Sequence, residues 1–325
     1  MAARAEELLK EAEKHMGKKA FFGLMKSKPN YEGAADAFQQ AAALLRSPAV
    51  KDPIRAVKAF EDAAAAHRNA GSLGFAAACL EDAGNVLRDQ KQVQKASIKY
   101  LEASEVHKSA GNFEKAADSL LKAAKVSADE EPDNAITAYL DAITILEDEE
   151  KHIFISDAWR ACLSLMLRNN KVDEAITFLL RMCPTFVSLK QPEYLRKAQL
   201  SVIVLQLSQA DTVAASCSLE GFGEFQIHQE GEAAADLIEA FENGDEDGVK
   251  KLTSTQSFTL LENQVGRVAH RLKDVCREAA SDLTGGGGRP AASRPAPPGG
   301  AAAGAATNAP AASAANDADD MDDLM

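Results

Sequence analysis

The sequence predicts an all-α protein, a tetratricopeptide-like α-solenoid in which antiparallel helical hairpins form a twisted sheet. Three observations lead to this prediction: a composition poor in aromatic residues, apolar residues at helical spacing, and an internal repeat of about 40 residues. Hydrophobic residues make up 46% of the 325 residues, whereas aromatic residues make up only 6%. This composition favours closely packed helices over a β-sandwich, because strands are enriched in aromatic and β-branched residues.

The overall charge and the cysteines limit the class of protein. The formal net charge of −13 argues against a general nucleic-acid binder. The five cysteines are far apart and odd in number, which is typical of reduced thiols in the cytosol. No apolar run approaches the roughly 18 residues of a membrane-spanning helix, and the acidic amino terminus is unlike a secretion signal. We therefore expect a soluble cytoplasmic protein.

Helices and their ends can be placed along the first half of the chain. Apolar residues recur at spacings of three and four over residues 93–107 and 113–126, which predicts two helices there. Gly71, Gly74 and Gly111 indicate helix ends, and Pro132 suits the first turn of a further helix.

A repeat is superposed on these helices. Large aromatic side chains recur at intervals of 40, 39 and 39 residues, at Phe60, Tyr100, Tyr139 and Phe178. Small side chains precede them, at Ala56, Ala96, Ala135 and Ala175. Small residues let neighbouring helices approach each other, and the large side chain fills the groove opposite. The repeat predicts stacked helical hairpins over residues 1–190.

The rest of the chain departs from this repeat. Residues 191–283 still have helical spacing but not the 40-residue period, which predicts a helical bundle that caps the solenoid. Residues 284–325 are rich in Gly, Ala and Pro and end in an acidic segment. Such a segment predicts a disordered tether, because it cannot bury enough apolar surface to offset the cost of ordering.

Signals for catalysis are missing from the sequence. The six histidines are scattered, and no HExxH, GxSxG or Cys/His ligand pair is present. We expect no enzyme activity, no cofactor and no metal site.

One predicted loop, residues 18–29, is too apolar for a loop between helices. Its large apolar residues are Phe21, Phe22, Leu24 and Met25, and its lysines are Lys18, Lys19, Lys26 and Lys28. Buried apolar side chains and lysines beside anionic lipid both favour membrane contact. The residues of this loop leave two interpretations open: a fold-back of Phe21 and Phe22 that caps the first hairpin, or weak, reversible membrane contact.

Two acidic features lie toward the carboxyl end. Five aspartates surround a few apolar residues in the last nine positions, where Leu324 is next to last. Glu239 and Glu242 are three residues apart and so share a helix face. The acidic tail suits capture by a basic partner, with a terminal leucine of no particular role as the alternative. For Glu239 and Glu242, the residues by themselves indicate an ordinary hydrated helix surface.

The order of these features resembles the SNAP family, the soluble adaptors that connect SNARE complexes to the AAA+ ATPase NSF. The segments FFGLMKSKPNYEGAA and GEAAADLIEAFENGDEDG are most similar to the gamma branch, and the final Asp-Asp-Leu-Met fits in character. The resemblance implies a twisted sheet of antiparallel helices followed by a bundle. It also implies that the loop around Phe21 and Phe22 touches membrane.

The resemblance further implies two partner sites. Glu239, Glu242 and Leu324 would bind and stimulate the ATPase, although Asn243 replaces a third acidic residue. SNARE four-helix complexes of the syntaxin type would bind a basic face, to which Arg160 corresponds. Asp118 and Pro192, however, occupy positions at which the family has basic residues. Lys190, Arg196 and Lys197 lie close to Pro192 in the sequence.

We therefore expect a non-enzymatic adaptor for SNARE disassembly in vesicle fusion and intracellular protein transport, associated peripherally with membranes. A generic helical-repeat scaffold for a chaperone or coat protein, without a SNARE role, is the alternative. A helical enzyme subunit is a more remote one.

Overall fold

The computed structural model describes residues 1–17, 29–149 and 152–284, and within these ranges it describes the side chains except those of residues 152–154 and 282–284. The described residues form fifteen α-helices and one 3₁₀ helix and contain no strand. This confirms the all-α prediction. No helix within these ranges is long and apolar enough to cross a lipid bilayer.

The repeated part consists of ten helices of similar length. They are α1 (Ala2–His15), α2 (Tyr31–Arg46), α3 (Pro53–Asn69), α4 (Leu73–Asp89), α5 (Val93–Ser109), α6 (Phe113–Ser127), α7 (Pro132–Asp148), α8 (His152–Arg168), α9 (Val172–Ser188) and α10 (Pro192–Ser208). The predicted helices over 93–107 and 113–126 are α5 and α6. Gly71 and Gly111 end α3 and α5 in the left-handed conformation, with φ of 78° and 71°. Glycine suits these turns because it has no Cβ to clash there. The helix end predicted at Gly74 is wrong, because Gly74 is the second residue of α4.

The residues of the repeat form the core of the hairpins. All four large aromatic side chains at the repeat position are buried, with at most 4% of their surface exposed. The four alanines that precede them are fully buried. Consecutive helices from α1 to α10 pack against each other. The prediction of a hairpin solenoid is confirmed, and the small residues account for the close approach of the helices.

Ion pairs show that the helices lie in two layers. Lys99 on α5 pairs with Glu61 on α3 at 2.9 Å, and Lys122 on α6 pairs with Glu81 on α4 at 2.9 Å. Each pair skips the helix between its two partners. We call α1, α3, α5, α7 and α9 the odd layer, and α2, α4, α6 and α8 the even layer.

Shorter helices follow the repeat. They are α11 (Thr212–Gly221), the 3₁₀ helix (Gly223–Ile227), α12 (Gln229–Glu242), α13 (Glu246–Leu252), α14 (Gln256–Thr259) and α15 (Asn263–Thr284). Every residue from Ala198 to Leu207 on α10 is buried, because α9, α11, α12 and α15 all pack against this helix.

The solenoid and the following helices share a core. One hydrophobic cluster extends from Ala117 on α6 to Cys276 on α15, and Met1–Thr284 form one compact unit. The division into a solenoid over 1–190 and a bundle over 191–283 stays a prediction.

Candidate functional site

An exposed row of carboxylates runs along α12. Glu232, Asp236, Glu239 and Glu242 are all exposed, at spacings of four, three and three residues. These spacings place the four side chains on one side of the helix. The opposite side of α12 carries its apolar residues, Ala234, Leu237, Ile238 and Phe241, which are buried. Burial of the apolar side therefore fixes the direction in which the carboxylates point. We call the four carboxylates the acidic ridge.

The acidic ridge is not neutralised within the described ranges. None of its four carboxylates forms an ion pair with a described basic side chain, although two nearby acids do. Glu230 pairs with Arg196 on α10 at 3.2 Å, and Glu246 pairs with Arg277 on α15 at 3.0 Å. The ridge therefore keeps its negative potential toward solvent, and such a surface speeds and orients the approach of a basic partner.

The ridge stops where α12 ends. Asn243 is the C-terminal cap of α12, and Gly244 adopts a left-handed φ of 67°. The next residue, Asp245, caps α13 by accepting a hydrogen bond from the Gly248 amide at 2.9 Å. Asn243 is exposed and continues the row without a charge.

Only half of this ridge was predicted from the sequence. Glu239 and Glu242 were predicted to share a helix face, whereas Asp236 and Glu232, which lie one and two turns closer to the start of the helix, were not part of that pair. The spacing of four and then three residues from Glu232 is the signal that could have found them.

The predicted basic residues are spread over α8, the turn after α9, and α10. Arg160 is exposed on α8, where its Nη2 atom lies 2.6 Å from Oδ1 of Asp157. Lys190 is exposed in the turn after α9 with φ of 52°. Lys197 is half-buried on α10. The guanidinium of Arg196 is held by Glu230, so this side chain links α10 to α12.

Asp118, which stands where the family has a basic residue, belongs to a group of paired charges in the even layer. Asp118 on α6 pairs with Lys122 at 2.7 Å, and Lys122 also pairs with Glu81 on α4 at 2.9 Å. Burial acts to lower the pKa of Lys122, but its hydrogen bonds with Asp118 and Glu81 raise it above its usual value. Lys122 thus stays protonated and holds α4 and α6 together.

The predicted membrane residues at positions 18–28 lie outside the described residues, as does Leu324. The flanking residues are described, and they bring the two ends of this segment together. The Asn30 amide donates a hydrogen bond to the His15 carbonyl at 3.0 Å, and Gly17 turns the chain with φ of 68°. The Asn30 side chain then caps α2 by accepting from the Gly33 amide at 3.0 Å. The described residues on the two sides of the segment, His15 and Asn30, are therefore held next to each other between α1 and α2.

The stacked hairpins and their shared core define the class of protein, which is an all-α helical-repeat solenoid. A family model described as "Soluble NSF attachment protein, SNAP" matches residues 3–258. The chain belongs to this family.

Two curated relatives carry the same family name. The chain is 33% identical over 248 residues to "Gamma-soluble NSF attachment protein" of Dictyostelium discoideum, which covers 75% of this chain and 76% of the relative. It is 28% identical over 248 residues to "Gamma-soluble NSF attachment protein" of Arabidopsis thaliana, which covers 75% of this chain and 84% of the relative. The resemblance to the gamma branch is confirmed.

Proposed function

We propose that this chain is an adaptor that attaches an NSF-type AAA+ ATPase to SNARE complexes and supports their disassembly. The acidic ridge carries this proposal. Four exposed carboxylates without a described basic partner lie on one helix, in a protein of a family named for attachment to NSF. Such a surface suits a basic domain on the ATPase.

The proposal divides the work among separate parts of the chain. Glu239 and Glu242 at the end of the ridge contact the ATPase, and Leu324 near the end of the chain stimulates it. Arg160, Lys190 and Lys197 supply positive charge for the SNARE complex, while Arg196 positions α10 through its pair with Glu230. The apolar segment between α1 and α2 contacts anionic membrane through Phe21 and Phe22. Several weak contacts acting together give useful avidity.

A reconstituted disassembly assay tests this proposal. The full chain is mixed with NSF, ATP and a preformed SNARE complex, and ATP hydrolysis and free SNARE proteins are measured. We expect the chain to stimulate both. A scaffold without a SNARE role would stimulate neither, and that result would overturn the proposal.

Charge reversal on the ridge tests the ATPase contact. Glu239→Lys with Glu242→Lys should weaken capture of the ATPase by roughly tenfold at low salt, since rim charges act mainly on association. Asp148→Lys with Glu149→Lys is the matched control. These exposed acids end α7, where basic residues are favourable for the helix dipole, so the fold should tolerate them. Equal capture by both variants would place the ATPase contact elsewhere.

Leu324→Ala separates binding from stimulation. If Leu324 acts only on the ATPase cycle, the variant assembles with SNARE complex and ATPase normally but slows ATP turnover. Unchanged turnover would remove Leu324 from the mechanism.

A further inference from the structure

A groove between α3 and α5, in the odd layer, combines apolar walls with positive charge. Its volume is about 560 Å³. Ile54 and Ile98 stand on its walls and are 79% and 51% exposed, which is unusual for isoleucine. Val57 and Leu87 form its floor and pack into the hydrophobic core. We call this the α3–α5 groove.

Three lysines lie at the end of the groove where α3 and α5 begin. Lys51 and Lys91 occupy equivalent turns, with φ of 52° and 58°, and Lys95 lies on the first turn of α5. All three are exposed, and none forms an ion pair with a carboxylate in the described ranges. Lys95 donates a hydrogen bond to Oε1 of Gln92 at 3.0 Å. α5 has no acidic residue in its first turn, so its positive end adds to the charge of the lysines. The N-terminus of α3 is capped instead by the Asp52 carboxylate, which accepts a hydrogen bond from the Arg55 amide at 3.2 Å.

The opposite end of the groove is neutralised. Nζ of Lys99 lies 2.9 Å from Glu61 and 3.0 Å from Glu102, which joins α3 to α5 across the groove. This lysine is therefore held by the fold. The positive charge open to a partner is confined to the end where Lys51, Lys91 and Lys95 lie.

The neighbouring grooves of the odd layer have the opposite sign. The groove between α5 and α7, of about 520 Å³, is lined by Glu131 and Asp141. The groove between α7 and α9 is lined by Asp173, Glu174 and Arg181, and the guanidinium of Arg181 is already paired with Glu147 on α7 at 3.0 Å. The odd layer thus forms a groove between each of these helix pairs, but the grooves differ in charge. An acidic partner would therefore be attracted to the α3–α5 groove and repelled by the next two.

We infer that the α3–α5 groove docks an acidic peptide segment of a partner protein, a segment that carries two or more large apolar side chains. The apolar side chains pack between Ile54 and Ile98, and the carboxylates lie over the three lysines. A groove between two parallel helices fits a rod-shaped peptide, whereas a flat lipid surface would leave its floor uncovered. The site lies in the odd layer and shares no residue with the acidic ridge or with Arg160, so it is independent of the proposed function.

Peptide binding to the full chain tests this inference. The probe is a fluorescent synthetic peptide, acetyl-EEDLLEELLDE-amide, followed by fluorescence polarisation at low salt. Ile54→Ser with Ile98→Ser, and separately Lys91→Glu with Lys95→Glu, should each weaken binding by roughly tenfold or more. Thermal melting checks that both variants remain folded, as expected for exposed positions.

Matched controls change the same residue types outside the groove. Val213→Ser with Ile227→Ser removes two β-branched apolar side chains that are 72% and 76% exposed on α11 and the 3₁₀ helix. Lys125→Glu reverses an exposed charge on α6. We expect both controls to bind the probe as the unaltered chain does. A peptide with glutamine and asparagine in place of the acids should bind far more weakly, and added salt should weaken the acidic peptide.

Several outcomes would overturn the inference. One is equal binding of the charged and the uncharged peptide. The others are an equal loss of peptide binding in the groove variants and the control variants, and a failure of the unaltered chain to bind the peptide. Self-association in sedimentation that Ile54→Ser with Ile98→Ser abolishes would assign the groove to a second copy. Vesicles of anionic lipid that bind only when both isoleucines are present would assign it to a membrane. The assay contains neither ATPase nor SNARE proteins, so its failure leaves the proposed function standing.

Discussion

At Gly84 the ring of Tyr100 lies directly against the backbone of α4. A Cβ atom at position 84 would lie 2.9 Å from Cε1 and 3.0 Å from Cδ1 of this ring. Tyr100 is 1% exposed, and its hydroxyl donates a hydrogen bond to Oδ1 of Asn85 at 2.8 Å. The contact shows how the repeat works at one position: a residue without a side chain makes room for the large ring of the next helix.

Gly84→Ala should destabilise the protein by about 1–3 kcal/mol, because either the ring or the helix must move. Alanine favours helix over glycine by up to about 1 kcal/mol, which offsets part of this cost. Urea unfolding measures the difference. Gly74→Ala, in the same helix, is the control. Its Cβ would meet only the side chain of Asn112 at 3.6 Å, an ordinary contact, so this variant should be neutral or stabilising. Equal midpoints for the two variants would contradict the packing argument.

Two buried histidines occupy equivalent positions of neighbouring repeats. His67 is stacked on Phe75 with ring centroids 5.5 Å apart, and neither of its nitrogens has a described hydrogen-bond partner. Burial lowers the pKa of His67, although Asp36 and Glu32 act weakly in the opposite direction. Burial likewise lowers the pKa of His107, and the nearby carboxylate of Glu81 acts to raise it.

Stability should therefore decrease as the solution becomes mildly acidic. The folded pKa of each histidine lies below the value of 6.5 in the unfolded chain, so the unfolded state binds more protons below about pH 6.5. The stabilisation is complete above that pH and is lost as the pH falls toward the folded pKa values. Urea unfolding between about pH 7.5 and 5.5 measures this slope. His67→Leu should reduce it, whereas His270→Gln, at an exposed position of α15, should leave it unchanged. An identical slope in both variants would exclude His67 as its source.

On the scale of helices, Glu81 connects three elements. Its carboxylate on α4 accepts a hydrogen bond from Ser119 on α6 at 2.5 Å and pairs with Lys122 on α6 at 2.9 Å. Nε2 of His107 on α5 lies 3.7 Å away. The side chain is 19% exposed, so solvent screens these contacts only partly. Glu81 therefore holds neighbouring hairpins together.

Glu81→Ala should lower the free energy of unfolding by about 1–3 kcal/mol, because it leaves Ser119 and Lys122 without this acceptor. Chemical denaturation measures the change. Glu105→Ala is the control: its carboxylate side chain is 71% exposed and pairs only with Lys108 within α5, at 2.8 Å, among the described residues. An exposed pair of this kind contributes less than about 1 kcal/mol. Similar losses in both variants would mean that Glu81 does not link the hairpins.

On the scale of the whole molecule, the proposed membrane contact and the proposed ATPase contact lie far apart in the sequence. Residues 18–28 lie between α1 and α2 in the sequence, and the flanking residues Asn30 and His15 are joined by a hydrogen bond. The acidic ridge lies on α12, more than 200 residues further along the chain. This separation lets a membrane contact and an ATPase contact be tested independently.

Phe21→Ser with Phe22→Ser should reduce disassembly of SNARE complexes on liposomes while sparing detached complexes. The apolar side chains raise the effective concentration of the adaptor at the membrane, and detached complexes do not need that effect. Disassembly rates on both substrates measure the difference. Ile227→Ser, at a 76% exposed position, is the control and should change neither rate. Equal loss on both substrates would indicate a role of Phe21 and Phe22 in folding instead.

The helices, their ends and the core of the repeat were accessible from the amino-acid order alone. The spacing of Tyr100 and its equivalents, together with the turns at Gly71 and Gly111, predicted the hairpins because helix formation and helix ends depend on nearby residues. Half of the acidic ridge was predictable for the same reason, since Glu239 and Glu242 are neighbours on one helix turn.

Contacts between helices could not be inferred in this way. The ion pair between Arg196 and Glu230 and the contacts of Glu81 with α6 join residues that are tens of positions apart. The α3–α5 groove, with its exposed Ile54 and Ile98, also brings together residues that are distant in the sequence. Local periodicity sets which residues of a helix face inward, but the packing of one helix against another sets which charges meet and which apolar side chains remain uncovered.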